Sequence, residues 1–173
     1  MMNEPAQSFE SVDDSHRFLA ETRLDSGEYQ PSSKHGLVVE VRDKVVASHL
    51  LATSGGATGV HDHSAIIAGD SCVVAVGPYL VSLSLPMLDI SWALEADPAT
   101  VFGVHLSLDR SFLLTHGELL ISRISFDGEV SWQAGGADIF TERFSVHDEQ
   151  VRAVDFENRE YVFDIATGDA SAA

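Results

Sequence analysis

Cysteine is almost missing from the 173-residue chain, and lysine nearly so. The single Cys72 excludes an intramolecular disulfide and a cysteine-rich metal cage. It lies in the apolar run Cys72-Val73-Val74-Ala75-Val76, where it reads as a small buried hydrophobe and not as a reactive thiol. Lys34 and Lys44 are the only lysines among ten basic residues, which face 27 acidic ones for a formal charge of −17. So few cations leave little to neutralise phosphates, and direct nucleic-acid binding is not expected. No apolar span approaches the roughly 20 residues of a membrane helix, and Met1 to Pro5 has neither a basic region nor an apolar stretch. The expectation is a cytoplasmic protein without membrane contact.

Catalytic signatures are also missing. There is no Gly-x-Ser-x-Gly elbow, and Gly55-Gly56-Ala57-Thr58-Gly59 lacks the lysine and the spacing of a phosphate-binding loop. Carboxylates such as Asp138, Glu142, Asp148, Glu149, Asp155, Glu157 and Glu160 are plentiful, but abundance in an acidic chain singles out no acid–base pair. No catalytic residue can be named, and no organic cofactor is implied.

What is present is a change of texture. Residues 1–34 are polar and charged and read as an N-terminal arm. Ser11 with Asp14 forms a weak capping box ahead of His16-Arg17-Phe18-Leu19-Ala20-Glu21, which predicts one short helix before Gly27. Residues 35–170 carry short β-branched and aliphatic runs between Gly, Asp and Ser, the pattern of many short strands in one domain. Leu37 to Val41 and Val45 to Ala47 flank a turn at Arg42-Asp43-Lys44, and a loop of small residues from Thr53 to Gly59 precedes His61.

The stronger signal is an internal repeat. A shift of 132 − 92 = 40 residues lays Ser71–Trp92 over Ser111–Trp132 without a gap, with identities at Ser71/Ser111, Gly77/Gly117, Leu80/Leu120, Ser82/Ser122, Ser91/Ser131 and Trp92/Trp132. A third copy follows in Val151 to Val154 and Tyr161 to Asp169, and it ends before a tryptophan. Copies thus span about 64–100, 101–140 and 141–169. Asp127-Gly128 and Thr167-Gly168 suit hairpin turns that need positive φ. The equivalence of the two tryptophans assigns them to packing between repeats rather than to ligand stacking.

Phe126-Asp127-Gly128-Glu129-Val130-Ser131-Trp132 and the segment Tyr161 to Asp169 resemble the blade repeat of β-propellers of the pyrroloquinoline-quinone and WD40 types. The resemblance implies four-stranded blades with an aromatic residue between neighbours, and does not by itself imply a quinone. Repeats of this length leave room for three or four blades where closed propellers have 4 to 8. The fold expected is all-β, a small propeller-like or open antiparallel β-repeat domain. An open sheet edge would favour a homo-oligomer.

For chemistry, the candidate is His61-Asp62-His63, since histidines at i and i+2 of a strand share a side and can hold one divalent transition metal. Cupin metal sites use such a pair too, but the glutamate expected after it is replaced by Ile67-Ala68. A third ligand would come from His105 or His116. Three functions compete: a non-enzymatic module that binds a protein partner, a metal-dependent enzyme or metal-binding protein centred on His61 and His63, and an acidic inhibitor or immunity-type protein.

Overall fold

The computed structural model describes residues 17–172. Among them there are strands and turns and no helix. In chain order the strands are β1 Ala20–Arg23, β2 Ser33–Val41, β3 Lys44–Thr53, β4 Ala65–Ala68, β5 Ser71–Val76, β6 Tyr79–Ser84, β7 Ile90–Glu95 and β8 Val101–Leu106. They continue with β9 Leu113–Gly117, β10 Leu120–Ile124, β11 Val130–Gly135, β12 Phe144–Val146, β13 Gln150–Val154, β14 Glu160–Asp164 and β15 Ala170–Ala172.

These strands make four sheets. The second, third and fourth are four-stranded antiparallel meanders, β4 to β7, β8 to β11 and β12 to β15, each in sequence order. The first is different: β2 and β3 form a long hairpin and β1 adds to β3 in parallel, in the order β1-β3-β2. The helix expected across residues 16–21 does not form in its described part, because Ala20 to Arg23 pair with His49 to Ala52 instead. Ser11 and Asp14 of the predicted capping box lie outside the described residues. The first sheet therefore begins inside the segment read as an arm.

Three buried clusters hold the sheets face to face. Leu37, Ala47 and Leu51 meet Cys72, Val74, Val81 and Leu83 between the first and second sheets. Val73, Ala75 and Leu80 meet Val104, Leu113 and Ile124 between the second and third. Leu114, Ile121 and Trp132 meet Phe140, Val151, Ala153 and Phe163 between the third and fourth. Strict alternation explains this arrangement, since neighbours such as Cys72 and Val73 point to opposite faces and both faces are covered.

Trp92 and Trp132 sit between sheets as their repetition implies. The Trp92 ring lies on Gly128, where an added Cβ would stand 2.8 Å from it, and Trp92 Nε1 donates to the Phe126 carbonyl at 2.9 Å. Trp132 lies on Gly168 in the same way, with 2.7 Å to an added Cβ and a bond from Nε1 to the Ile165 carbonyl at 3.1 Å. Each glycine closes the turn after the third strand of its sheet at positive φ, 84° at Gly128 and 77° at Gly168. The second sheet has the same turn, but there the residue at positive φ is Leu88, at 58°. Its amide bonds back to the Ser84 carbonyl as those of Gly128 and Gly168 do to Ser125 and Asp164. The first sheet contributes no tryptophan to that interface, and the buried Leu88 side chain packs into the cluster itself.

The gapless 40-residue register needs one correction. Cross-strand rows match Val73-Ser82-Trp92 with Leu114-Arg123-Trp132. The offset is therefore 41 in the first strands of the repeat and 40 at the tryptophan. The difference is absorbed in the turn, six residues from Ser84 to Asp89 against five from Ser125 to Glu129. Gly77/Gly117 and Leu80/Leu120 are thus neighbours of equivalent positions and not equivalents.

The same rows explain the end of the array. In the fourth sheet Arg152, Val162 and Ser171 occupy the Leu114-Arg123-Trp132 row, and Glu160 replaces Ile121 and Leu80. Arg152 and Glu160 pair at 3.4 Å on this outward face. The outward row of the fourth sheet is thus polar where the matching row of the third sheet is largely apolar. Among the described residues no buried cluster joins the first and fourth sheets.

Replacing Gly128 or Gly168 by alanine puts a methyl group into an indole ring at a left-handed backbone position. Each substitution is expected to cost about 1–3 kcal/mol, the scale of a non-glycine residue forced into such a conformation. Denaturant melts followed by tryptophan fluorescence should show the loss, whereas Gly59→Ala, with open space around it, should change stability little.

Candidate functional site

The loop of small residues from Thr53 to Gly59 and the turn that follows it to Ser64 are tied down at both ends. Ser33 Oγ donates to the Gly56 carbonyl at 2.7 Å and accepts from the Thr58 amide at 2.8 Å. Buried His35 meets Thr58 through Nε2, 3.2 Å from the carbonyl oxygen and 3.1 Å from Oγ1. At the far end Ser64 Oγ accepts from the His61 amide at 2.9 Å, and the Ser64 carbonyl accepts from Ala75 at 2.8 Å. His61 and His63 therefore belong to a turn ahead of β4 and not to a strand. Their rings lie 6.3 Å apart, edge to face, instead of side by side.

The turn presents His63 to the third sheet. The His63 carbonyl accepts from the Val104 amide at 2.8 Å, which fixes the residue on β8. Close approach is possible because residue 103 is glycine, where a Cβ would come within 2.9 Å of His63 Cβ and 3.4 Å of His105 Nε2. His63 and His105 then stack with centroids 4.3 Å apart and planes 31° apart. The column continues from His105 to Phe144 at 4.6 Å, from Phe144 to His116 at 4.8 Å and from His116 to Phe102 at 5.5 Å. All four histidines singled out by sequence thus stand in one column across three sheets. Gly103, Phe102 and Phe144 complete it and were not read from sequence, although a glycine inside the apolar run Val101 to Leu106 was a legible sign of close approach.

Hydrogen bonds assign some of the nitrogens. His116 Nε2 lies 2.9 Å from the Phe140 carbonyl, which can only accept, so that nitrogen carries the proton. The His63 amide donates to His61 Nδ1 at 3.2 Å, so that nitrogen is bare. Neither the His63 nor the His105 ring bonds to another described residue. Burial, and then the neighbouring His63, His116 and His61, push His105 down to about 3. Burial is also the main cause for His116, at about 4, against the opposing pull of the Phe140 carbonyl and Asp97. His105 and His116 are therefore neutral imidazoles at neutral pH. No group of three or more His, Cys, Asp and Glu among the described residues is arranged to hold a metal ion.

A second surface lies at the other side of the first sheet interface. A cavity of about 160 Å³ is lined by Leu37, Val38, Val39, Ile67, Cys72, Leu85, Pro86 and Leu88. Above it the β2–β3 hairpin runs past its sheet partners, and its last residues are exposed: Val41, Val45 and Val46 at 49%, 53% and 37%. Arg42 and Asp43 turn the hairpin at φ 52° and 61°. Cys72, at the cavity floor, is fully buried and its thiol is pushed up to about 11 by burial, so it packs and does not react.

Sequence comparison finds no family model that matches the chain and no match among curated proteins. Solved structures do match in shape. The computationally designed Ika4 protein superposes with a TM-score of 0.54 at 10% identity, over 68% of this chain and 76% of its own. The designed Ika8 protein gives 0.54 at 10% identity, over 69% of this chain and 39% of its own. The β-propeller domain of Cps50 (Swd1) from Myceliophteria thermophila gives 0.51 at 14% identity, over 65% and 37%. The fold is propeller-like. The chain spans well under half the length of the latter two, and at such identities the likeness concerns fold alone.

The depressed histidines set a pH dependence. A folded-state pKa below the unfolded value means that the unfolded chain binds more protons, so stability is full above the ordinary histidine value and falls as pH drops through it towards 4 and 3. Thermal midpoints should therefore decline between pH 7 and 5, before most carboxylates titrate. His105→Phe should flatten that decline; an unchanged slope would show that the column does not control it.

Proposed function

We propose that the chain is a non-enzymatic protein-interaction module whose contact surface is the far half of the β2–β3 hairpin with the apolar groove at its base. The observation that carries the reading is the exposure of Val41, Val45 and Val46 on the same hairpin whose Leu37, Val38 and Val39 line the cavity with exposed Ile67. Exposed apolar side chains close to an apolar cavity are a usual mark of an interaction site. β2 is also an edge strand, nine residues long, against four for β4 and three for β12. Long edges invite pairing with another chain.

Charge adds selectivity. Lys34, Arg42 and Lys44 stand on this hairpin with Glu40 and Asp43, a local balance of 3 − 2 = +1 in a chain of −17. A partner suited to it offers an apolar side chain to the groove and carboxylates to Arg42 and Lys44. The acidic remainder of a second copy satisfies the second condition, so self-association is one form of the same reading. Propeller-type folds in general support such a role, and the outward row of the fourth sheet, with Arg152, Glu160 and Ser171, is polar by contrast.

The test is capture from an extract of the source organism, together with sedimentation of the purified chain. Val45→Asp and the pair Arg42→Glu with Lys44→Glu should reduce a specific partner, or self-association, at least tenfold while circular dichroism stays unchanged. Contacts made by the charged pair should also weaken as salt rises. Absence of any partner and a strictly monomeric chain, or binding indifferent to both variants, would defeat the proposal.

A further inference from the structure

We infer that His63 and His105 together form a binding site for one divalent transition ion of the copper or nickel type, bridging the 61–64 turn to β8. This goes beyond the interaction reading and is independent of it. It also moves the metal from the His61-x-His63 pair suggested by spacing to a pair that only folding creates.

The turn and the strand are held together before any ion arrives. The Val104 amide fixes the His63 backbone and Gly103 clears the space between the two residues. The rings are 4.3 Å apart by centroid, and no hydrogen bond to a described residue occupies their nitrogens. Most histidines in this chain are not in that position. His61 spends Nδ1 on the His63 amide, His116 spends Nε2 on Phe140, and His49 is bonded through both nitrogens, to Leu88 and Thr22. Stacked rings do not aim their nitrogens at one point, so binding requires the exposed His63 ring to rotate out of the stack towards half-buried His105.

Two imidazoles with water at the remaining positions make an N,O set. Such a set suits tetragonal Cu²⁺ or Ni²⁺, and the general affinity order places Cu²⁺ first. Zinc is disfavoured as a structural ion here, because closed zinc sites take four protein ligands and no third carboxylate, thiol or imidazole converges. Gly103 acts as a positioning residue, since a side chain there would separate the rings.

The experiment uses the full chain without an affinity tag, stripped of metal, titrated with CuCl₂ and NiCl₂ by calorimetry at pH 7. One equivalent of Cu²⁺ should bind, tighter than Ni²⁺, and paramagnetic resonance of the Cu²⁺ form should show hyperfine coupling to two imidazole nitrogens. His63→Ala and His105→Phe, the latter retaining a ring against Phe144, should each weaken binding at least tenfold, while His147→Ala should leave it within about twofold. Circular dichroism confirms that each variant is folded, and Gly103→Ala supplies a further arm that removes no ligand yet should weaken binding. Failure to bind a stoichiometric ion, a signal without two nitrogens, or undiminished affinity in the His63 and His105 variants relative to the unmodified chain would overturn the assignment.

Discussion

Everything else in this molecule rests on an indole seated on a glycine turn. An isolated four-stranded meander of short strands has two faces to cover and little side-chain volume for doing so. A tryptophan reaching from the outer strand of one sheet onto the turn of the next buries on the order of 150–250 Å² at one point and spends its only donor on a turn carbonyl. The turn must then lack a Cβ where the ring arrives, which glycine at positive φ provides. Position, conformation and hydrogen bond are satisfied by one pair of residues, and the pair occurs at both interfaces from the second sheet onward. The remaining hydrophobic clusters fill the space that the pair sets.

The ends of the stack follow from the same constraint. Where no tryptophan precedes, the turn residue is free to carry a side chain, and Leu88 packs its own into the first interface despite its backbone conformation. In the fourth sheet Ser171 stands at the tryptophan's position beside Arg152 and Glu160, so the row that is apolar in the third sheet is polar here. Between the sheets, buried Asp97 adds a polar tie. Its carboxylate accepts from the amides of Ala99 and Thr100 at the exit of the second sheet, and from Leu119 and Leu120 in the β9–β10 turn of the third.

Sequence made the repeat legible because turn chemistry and tryptophan placement are local. Asp127-Gly128 and Thr167-Gly168 announce their own backbone, and a 40-residue interval is visible without knowing what it means. Three things were not legible for physical reasons. The extra residue of the Ser84–Asp89 turn hides in the register, since neighbouring serines and leucines satisfy either alignment. Ala20 to Arg23 have a helical composition, and only the unpaired edge of β3 makes them a strand, a tertiary override of local preference. The polarity of Arg152 and Glu160 resembles any solvated strand until the equivalent rows show what it replaced.

The candidate site was half legible, and the missing half decides its chemistry. His61 and His63 were noticed for their spacing, which assumes a strand; the Ser64 clamp makes a turn, and the two rings part. His105, 42 residues from His63, was expected at most as a third ligand. Yet stacking of successive sheets brings the entry turn of one against the first strand of the next, so a histidine before β4 meets a histidine on β8 as a matter of course. Residues one repeat apart are natural neighbours in this architecture, and pairs within one repeat are not. In a stacked-sheet protein the search for a site therefore runs across the repeat interval, and Gly103 marks the point at which the backbone was shaped to allow the contact.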